Sequence, residues 1–271
     1  MEVGCNSYSL KSYDRGDAFA TIRSLGFTAV ELWTGHADYL QARESPNTIS
    51  EEARRAGLDI RAFCIGGLFG LPAEVATKRL DRAFAFARGL GVDLITGIID
   101  RPIVGTVDRM CHDYGVRFAI ENHWYTDFAR PSDFLRALDE ASAAVGVNID
   151  TGHFVFARCD LHTVARQLGP RTFNVHFKTV KREGPIALML RRLQRRYRME
   201  PDVPGFGDQF APFVEALVRS GYRGMLAVEH ETDRLRLDEL ALYRTRALEL
   251  LASGERPAAN VPSQTEVIRG H

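Results

Sequence analysis

The feature that most constrains this chain is a regular alternation of short β-branched or apolar segments with longer segments of helical periodicity. The clearest helical segment, 73–90, places Leu80, Phe84 and Ala87 on one face. Because parallel strands joined in sequence need helical crossovers, the alternation predicts a parallel sheet covered by helices. Eight segments have strand character: 3–8, 29–33, 60–65, 94–98, 117–121, 147–150, 173–177 and 225–229.

The number of units and the chain length select the architecture. Eight strand–helix units in a chain of 271 residues match the size of a closed (β/α)8 barrel. An open doubly wound sheet is the alternative, but no GxGxxG phosphate loop follows the first strand. We therefore predict an α/β fold, a single (β/α)8 TIM barrel over residues 1–252, followed by a loose C-terminal tail over 253–271.

One segment interrupts the alternation after the seventh strand. Roughly thirty residues precede the next helix, and within them a predicted helix over 186–198 carries five arginines. We predict an Arg-rich insertion at this point. A solvated helix with charged faces is the first interpretation, and a lid, an anion-binding element or a subunit contact is the alternative.

The charge balance and the cysteine usage exclude several classes of protein. Thirty-five basic residues balance thirty-five acidic ones, which argues against a nucleic-acid-binding domain and against an acidic disordered chain. No apolar run approaches the roughly 18 residues of a membrane span, and no signal core follows the N-terminus. The four cysteines form no CxxC pair, which indicates reduced thiols. We therefore expect a cytoplasmic protein with no membrane or nucleic-acid partner.

Four consecutive predicted strands end in side chains that can bind a metal ion: Glu121, Asp150, His176 and Glu229. In a barrel of this kind the carboxyl ends of the strands meet at one rim, where active sites are built. Three buried carboxylates facing one axis would repel one another, and a divalent cation removes that conflict. Capping of the following loops is the alternative interpretation. Glu31, at the end of the second strand, is expected to hydrogen-bond within the barrel rim instead.

Several motifs around these strand ends occur in a fixed order along the chain. Segment 25–33 is similar to the pattern lGfdgvElw, 120–123 to lEnH, 150–153 to DtgH, 175–178 to vHlKD (with Thr179 in place of Asp), 205–208 to the GeGeiD turn, and 221–224 to the GYdG turn that leads to Glu229. The chain thus resembles the sugar phosphate isomerase/epimerase family of xylose isomerase-like TIM barrels, over about residues 1–250. The resemblance implies that Glu121, Asp150, His176 and Glu229 bind one divalent metal ion.

The chemistry of this ligand set limits the identity of the metal ion and the type of reaction. Three carboxylates and one imidazole favour Mn²⁺, Mg²⁺ or Co²⁺ over a structural zinc ion. Open coordination positions would allow the ion to chelate a hydroxy-ketone or hydroxy-aldehyde, polarise its carbonyl and stabilise an enediolate.

Four residues are candidates for proton transfer. The resemblance to the epimerases implies Glu121 and Glu229, whereas the resemblance to the dehydratases implies His123 and His153. A histidine that titrates near neutrality suits proton transfer. The alternative is that both histidines only hydrogen-bond substrate hydroxyls or orient the ligand carboxylates. His153 is expected on the loop just past Asp150.

Three further residues are candidates for substrate binding. Lys178, two residues past His176, could contact a substrate oxyanion or phosphate, or could pair with a rim carboxylate. Trp33 and Trp124 each follow a strand-end acid and could stack on a sugar ring, although a buried apolar wall is an equal alternative. His36, by contrast, is expected to be an ordinary surface or loop histidine.

These features predict a divalent-metal-dependent sugar isomerase/epimerase that acts on a ketose or keto-polyol through a metal-stabilised enediolate. The first alternative is a lyase of the inosose or 3-dehydroshikimate dehydratase type. An endonuclease-IV-like nuclease is less favoured, because its metal cluster needs several further histidines and predicted strands two to four of this chain end without them. A non-catalytic binding subunit would not need the complete four-ligand set. The expected partner is a small-molecule carbohydrate or keto-polyol, and a homo-oligomer is left open.

Overall fold

The computed structural model describes residues 1–41, 43–179, 206–231 and 236–254, and its eight strands close into one barrel. Each strand pairs in parallel with the next along the chain, and the last pairs with the first. The predicted (β/α)8 TIM barrel is therefore confirmed. The strands are β1 Glu2–Asn6, β2 Ala29–Trp33, β3 Asp59–Gly67, β4 Leu94–Ile98, β5 Arg117–Glu121, β6 Val145–Asp150, β7 Thr172–Phe177 and β8 Met225–Val228.

Helices cover the outside of this barrel. They are α1 Arg15–Ser24, α2 Pro46–Arg55, α3 Ala73–Leu90, α4 Val104–Tyr114, α5 Pro131–Leu138, α6 Thr151–Phe156, α7 Leu161–Leu168, α8 Phe206–Arg219 and α9 Leu237–Gly254. Helix α3 buries the predicted face and ends at Gly91, whose φ of 77° is the left-handed conformation that glycine adopts without strain. The Arg-rich segment 186–198 and the tail from residue 255 onward lie outside the described residues.

Two local predictions were wrong. His153 was expected on a loop, but it lies in the short helix α6, because the Asp150 carboxylate accepts a hydrogen bond from the His153 backbone N–H and caps that helix. The segment 205–208 was expected to form a turn, but helix α8 already begins at Phe206. None of the helices in the described ranges is long and apolar enough to cross a membrane.

The interior of the barrel is layered from apolar to polar. Small apolar clusters lie towards the strand starts, including Ala29 with Ala227 and Ala62 with Ala119. Because side chains alternate between the two faces of a strand, each residue two positions further along also points inward. Two residues past Ala29, Ala119 and Ala227 lie the buried Glu31 and the predicted ligands Glu121 and Glu229. The alternation of side-chain direction thus places these polar side chains at the carboxyl ends of the strands.

Candidate metal centre

The four predicted ligands converge inside the rim of the barrel. The Nδ1 atom of His176 lies 2.9 Å from Glu229 Oε2, 3.5 Å from Glu121 Oε2 and 3.9 Å from Asp150 Oδ2. None of the four residues exposes more than 6% of its surface. Among the described residues, no hydrogen-bond partner outside this cluster reaches His176 Nδ1 or Glu229 Oε2. Buried polar atoms are normally hydrogen-bonded, so buried ligand atoms that face only one another indicate a site for a cation.

The other ring nitrogen of His176 faces a different carboxylate. Its Nε2 atom lies 2.9 Å from Glu31 Oε2. Glu31 also accepts hydrogen bonds from Thr96 Oγ1 and Asn174 Nδ2, at 2.5 Å and 3.0 Å. Glu31 therefore hydrogen-bonds within the barrel, as the sequence suggested, and lies on the side of the imidazole ring away from the other three carboxylates.

The electrostatics of the cluster favour a bound cation. Burial raises the pKa of Asp150 to about 7 even though Lys178 is adjacent. Burial also opposes ionisation of Glu229, but Lys178 and His176 outweigh it and lower the pKa of that carboxyl. Burial lowers the pKa of His176, yet Glu31, Glu121 and Glu229 together raise it well above its usual value. Three oxygen donors and one imidazole fit a hard divalent ion, which would supply the positive charge that these carboxylates demand.

Lys178 lies between two of the predicted ligands. Its Nζ atom is 2.7 Å from Asp150 Oδ2, 2.8 Å from Glu231 Oε2 and 3.4 Å from Glu229 Oε1. The predicted alternative, an ion pair with rim carboxylates, is thus present, and a substrate contact stays a prediction. A Cβ atom at Gly152 would lie 2.9 Å from Lys178 Cγ, so the glycine provides space for this side chain. Glu231 was missed, although it lies two residues past Glu229.

His123 and His153 stack directly beside the ligand cluster. Their ring centroids are 3.4 Å apart, with an interplanar angle of 37°. His123 Nε2 lies 4.0 Å from Glu121 Oε1, and His153 Nε2 lies 3.9 Å from Asp150 Oδ2. Considering only the residues that the structure describes, His123 Nδ1 and both ring nitrogens of His153 lack a hydrogen-bond partner. Burial lowers the pKa of both rings, that of His153 well below its usual value, so both are neutral at neutral pH.

The two tryptophans occupy different parts of the rim. Trp33 packs edge-on against Tyr8, at a centroid distance of 5.1 Å, and against His36, at 5.5 Å. His36 was expected at the surface or in a loop, but it is buried, because its ring nitrogens meet Ser7 Oγ and the Tyr13 carbonyl at 3.0 Å and 3.2 Å. Trp33 is therefore part of a packed aromatic group near β1 and β2.

Trp124 belongs to an exposed aromatic group beside the histidine pair. It contacts Tyr125, which packs against the ring of His123 at 4.7 Å and lies 6.3 Å from Phe69. The exposed fractions of Phe69, Trp124 and Tyr125 are 38%, 40% and 53%. Sequence reasoning missed Phe69 and Tyr125, since only the barrel closure brings the loops after β3 and β5 together. Exposed aromatic faces of this kind suit the apolar face of a ring-shaped ligand.

A cavity of about 340 Å³ lies at the opposite end of the barrel. Its lining includes Arg117 and Thr172, which are the first residues of β5 and β7. Barrels of this type carry their chemistry at the carboxyl ends of the strands, and the other end mainly stabilises the fold. The ligand cluster, not this cavity, is therefore the candidate functional site.

Comparison with curated proteins gives partial matches. The rhizopine catabolism protein MocC of Rhizobium meliloti is 30% identical over 141 residues, which cover 49% of this chain and 42% of that protein. The inosose dehydratase of Mesomycoplasma hyopneumoniae (strain 7448) is 27% identical over 146 residues, which cover 52% of this chain and 48% of that protein. The matched region thus spans less than half the length of these relatives.

Solved structures match the whole barrel at low sequence identity. The probable 3-DHS dehydratase AsbF of Bacillus anthracis has a TM-score of 0.73 at 17% identity and covers 92% of this chain and 99% of its own. An L-ribulose 3-epimerase has a TM-score of 0.73 at 16% identity, with 98% and 99% covered. The IOLI protein, solved with a zinc atom, has a TM-score of 0.73 at 15% identity, with 93% and 99% covered.

At such low identities, these structural likenesses support the fold alone. The family assignment comes from the sequence itself, because the pattern of the xylose isomerase-like TIM barrels matches residues 19–253. That match extends from helix α1 to the end of helix α9 and includes all four predicted ligands. The chain therefore belongs to the xylose isomerase-like TIM barrel family.

Proposed function

We propose that this protein is a divalent-metal-dependent lyase that removes water from a polyhydroxylated ketone. The single observation that carries this choice is the stacked pair of His123 and His153 beside the ligand cluster. Among the described residues, His123 Nδ1 and both ring nitrogens of His153 have no hydrogen-bond partner. The sequence alone favoured an isomerase or epimerase, with the dehydratase as the alternative. The geometry of the histidine pair is our reason for proposing the dehydratase first.

Glu121, Asp150, His176 and Glu229 would hold the ion. When bound, it would supply the positive charge that polarises a substrate carbonyl and stabilises the negative charge left by loss of a neighbouring proton. The Asp150 carboxylate also caps helix α6, so the residue that would bind the ion fixes the backbone of His153 as well. The Asp150 side chain thus serves the proposed metal site and also positions His153, the proposed proton carrier.

The two imidazoles can carry out both proton transfers of a dehydration. A neutral ring takes the proton from the carbon next to the carbonyl, and the C–H electron pair becomes the new C=C bond. The bond between the next carbon and its hydroxyl then breaks, and the departing oxygen takes a proton from an imidazolium. One proton and one hydroxide leave as water, so no oxidant or reductant is needed. The low pKa of both buried rings keeps them in the neutral form that accepts the first proton.

The arrangement of the pair favours elimination over epimerisation. Because the two rings lie only 3.4 Å apart, a bound substrate would meet both on one side, which suits removal of a proton and a hydroxyl from one face. Epimerisation needs proton carriers on opposite faces. Glu121 and Glu229 would supply them in the second candidate function, because Glu121 ends β5 and Glu229 directly follows β8, on either side of β6 and β7.

The aromatic group and Lys178 suggest the kind of substrate. Phe69, Trp124 and Tyr125 offer exposed ring faces next to the histidine pair, which suits a cyclic keto-polyol. Lys178 would then exchange part of its ion pairing with Glu231 for a substrate oxygen. Inosose, named in the matched dehydratase, and 3-DHS, named in the matched structure, are the first compounds to test.

The test is a reaction of the Mn²⁺-loaded protein with inosose, 3-DHS and L-ribulose in deuterated water. The proposal expects an unsaturated, ultraviolet-absorbing product from one of the first two, and none after treatment with a chelator. Deuterium incorporation with an epimer and no unsaturated product would overturn the lyase in favour of the epimerase. A protein that binds no divalent ion, or a Glu121→Ala variant with full activity, would overturn both candidates.

A further inference from the structure

We infer that Glu31 is a positioning residue, which holds the His176 ring with its hydrogen on Nε2 and its Nδ1 lone pair directed at the metal site. The inference rests on the metal-binding part of the proposed function. It assigns a role in the centre to a residue that is not one of the four ligands. Glu31 lies on β2, across the barrel from His176 on β7 and 145 residues away in the sequence.

A carboxylate oxygen lies 2.9 Å from each ring nitrogen of His176, Glu31 at Nε2 and Glu229 at Nδ1. Because Nδ1 faces the proposed ion together with Glu229, the ring hydrogen is left for Nε2. A carboxylate can only accept hydrogen bonds, so the His176 Nε2 atom at 2.9 Å from Glu31 Oε2 must be the donor. The Nδ2 atom of Asn6 also lies 3.2 Å from this nitrogen. The carbonyl oxygen of Asn6 is already bound by the Tyr8 backbone N–H, so the amide presents only donor hydrogens here and cannot accept the ring hydrogen. In a neutral ring Nδ1 is then unprotonated, as a metal ligand must be.

The same contacts distinguish Glu31 from a ligand of a second ion. Glu31, Cys64 and His176 do lie close enough together to form a three-donor group. However, Glu31 Oε1 accepts from Thr96 and Oε2 accepts from Asn174 and His176, so donors already occupy both oxygens. The group is therefore a hydrogen-bonded support for His176.

The support extends to a second predicted ligand. Asn174 donates to Glu31 and also to Asn148 Oδ1, at 3.2 Å. Asn148 in turn donates to Glu121 Oε2, at 3.4 Å. Glu31, Asn148 and Asn174 thus form a buried polar layer, one step below the ligands, that contacts both His176 and Glu121. Partners of this kind typically change metal affinity by 10–100-fold when they are removed.

The experiment measures Mn²⁺ affinity in the absence of substrate for two variants and a matched control. Glu31→Leu keeps the volume but removes the acceptor, so Mn²⁺ should bind about 10–100-fold more weakly. Glu31→Gln should stay within a few-fold of the wild type, because its amide oxygen can accept from His176 while its NH₂ group donates to Thr96 Oγ1. Thr96→Val removes only the hydrogen bond on the far oxygen of Glu31 and should also leave the affinity nearly unchanged.

A second measurement locates the hydrogen on the His176 ring directly. Nitrogen–hydrogen NMR correlations of His176 in the metal-free protein, at a pH that leaves the ring neutral, should show the hydrogen on Nε2. A hydrogen on Nδ1, or a folded Glu31→Leu variant with wild-type Mn²⁺ affinity, would overturn the inference. If the wild type binds no divalent ion, the proposed function fails. The ring measurement still decides the role of Glu31 in that case, and also where Glu31→Leu does not fold.

Discussion

His176 and His153 are both buried at the same barrel rim, both beside Asp150, yet their environments differ in kind. His176 meets a carboxylate oxygen 2.9 Å from each ring nitrogen, Glu31 on one side and Glu229 on the other. His153 stacks on His123 instead, and neither of its ring nitrogens has a hydrogen-bond partner among the residues of the described ranges. Burial disfavours the charged form of both rings, but only His176 has the carboxylates that reverse this effect.

The comparison indicates that histidine serves two purposes at this rim. Carboxylates on both sides of His176 fix its orientation, as a ligand requires. His153 keeps a neutral ring with available nitrogens, as proton transfer requires. Substitution of each histidine tests whether His176 binds the metal ion and His153 transfers a proton.

The largest effect is expected from His176→Gln. Loss of the ligand that the three carboxylates surround should abolish measurable Mn²⁺ binding at micromolar concentrations. Activity should fall by on the order of 10³-fold or more, because the ion supplies several kcal/mol of stabilisation to the developing charge. Equilibrium dialysis and steady-state kinetics measure the two effects. His112→Gln is the control, since that side chain is 66% exposed. Stoichiometric Mn²⁺ binding by His176→Gln would contradict the ligand role.

His153→Gln and His123→Gln should separate activity from metal binding. We expect kcat to fall by roughly 10²–10⁴-fold in either variant, the usual contribution of a positioned acid or base. Mn²⁺ affinity should stay within a few-fold of the wild type, because neither ring contributes to the four-ligand set. Parallel kinetics and dialysis give the answer. A variant that loses the ion together with its activity would show that the pair acts through the ligands.

The smallest effect concerns the pH dependence of stability in the metal-free protein. Below about pH 6.5 the unfolded chain protonates His153 while the native ring stays neutral, so stability falls as the pH falls. His153→Gln should make this acid loss shallower. The raised pKa of His176 acts in the opposite sense, because its stabilisation is complete below pH 6.5 and is lost as the pH rises through the native pKa.

Thermal unfolding with a chelator, at several pH values between 5 and 9, tests both signs. His153→Gln should change the acid side of the profile, and His176→Gln should change the alkaline side. The exposed His112→Gln should change neither. Equal changes on the same side for the two buried histidines would remove the distinction between them.

The local pattern was sufficient to predict most of the barrel. The bounds of β2, β4 and β5 agree with prediction, because four of the five residues in each strand are buried and a glycine lies two or three residues before it. Helix α6 was missed because its six residues follow Asp150 without a break, and only the capping contact of that carboxylate reveals it. Short capped turns depend on a specific hydrogen bond, which periodicity does not report.

Side-chain alternation and strand–helix repetition were enough to predict the barrel and the four strand ends that carry acids or histidine, because both are local properties of the chain. Which of these groups meet depends on the tertiary structure. Three contacts each join separate strand–helix units of the barrel: Glu31 with His176, His123 with His153, and Lys178 with Glu231. Such contacts depend on how the barrel closes and on the shear of its strands, and no local pattern encodes those distances.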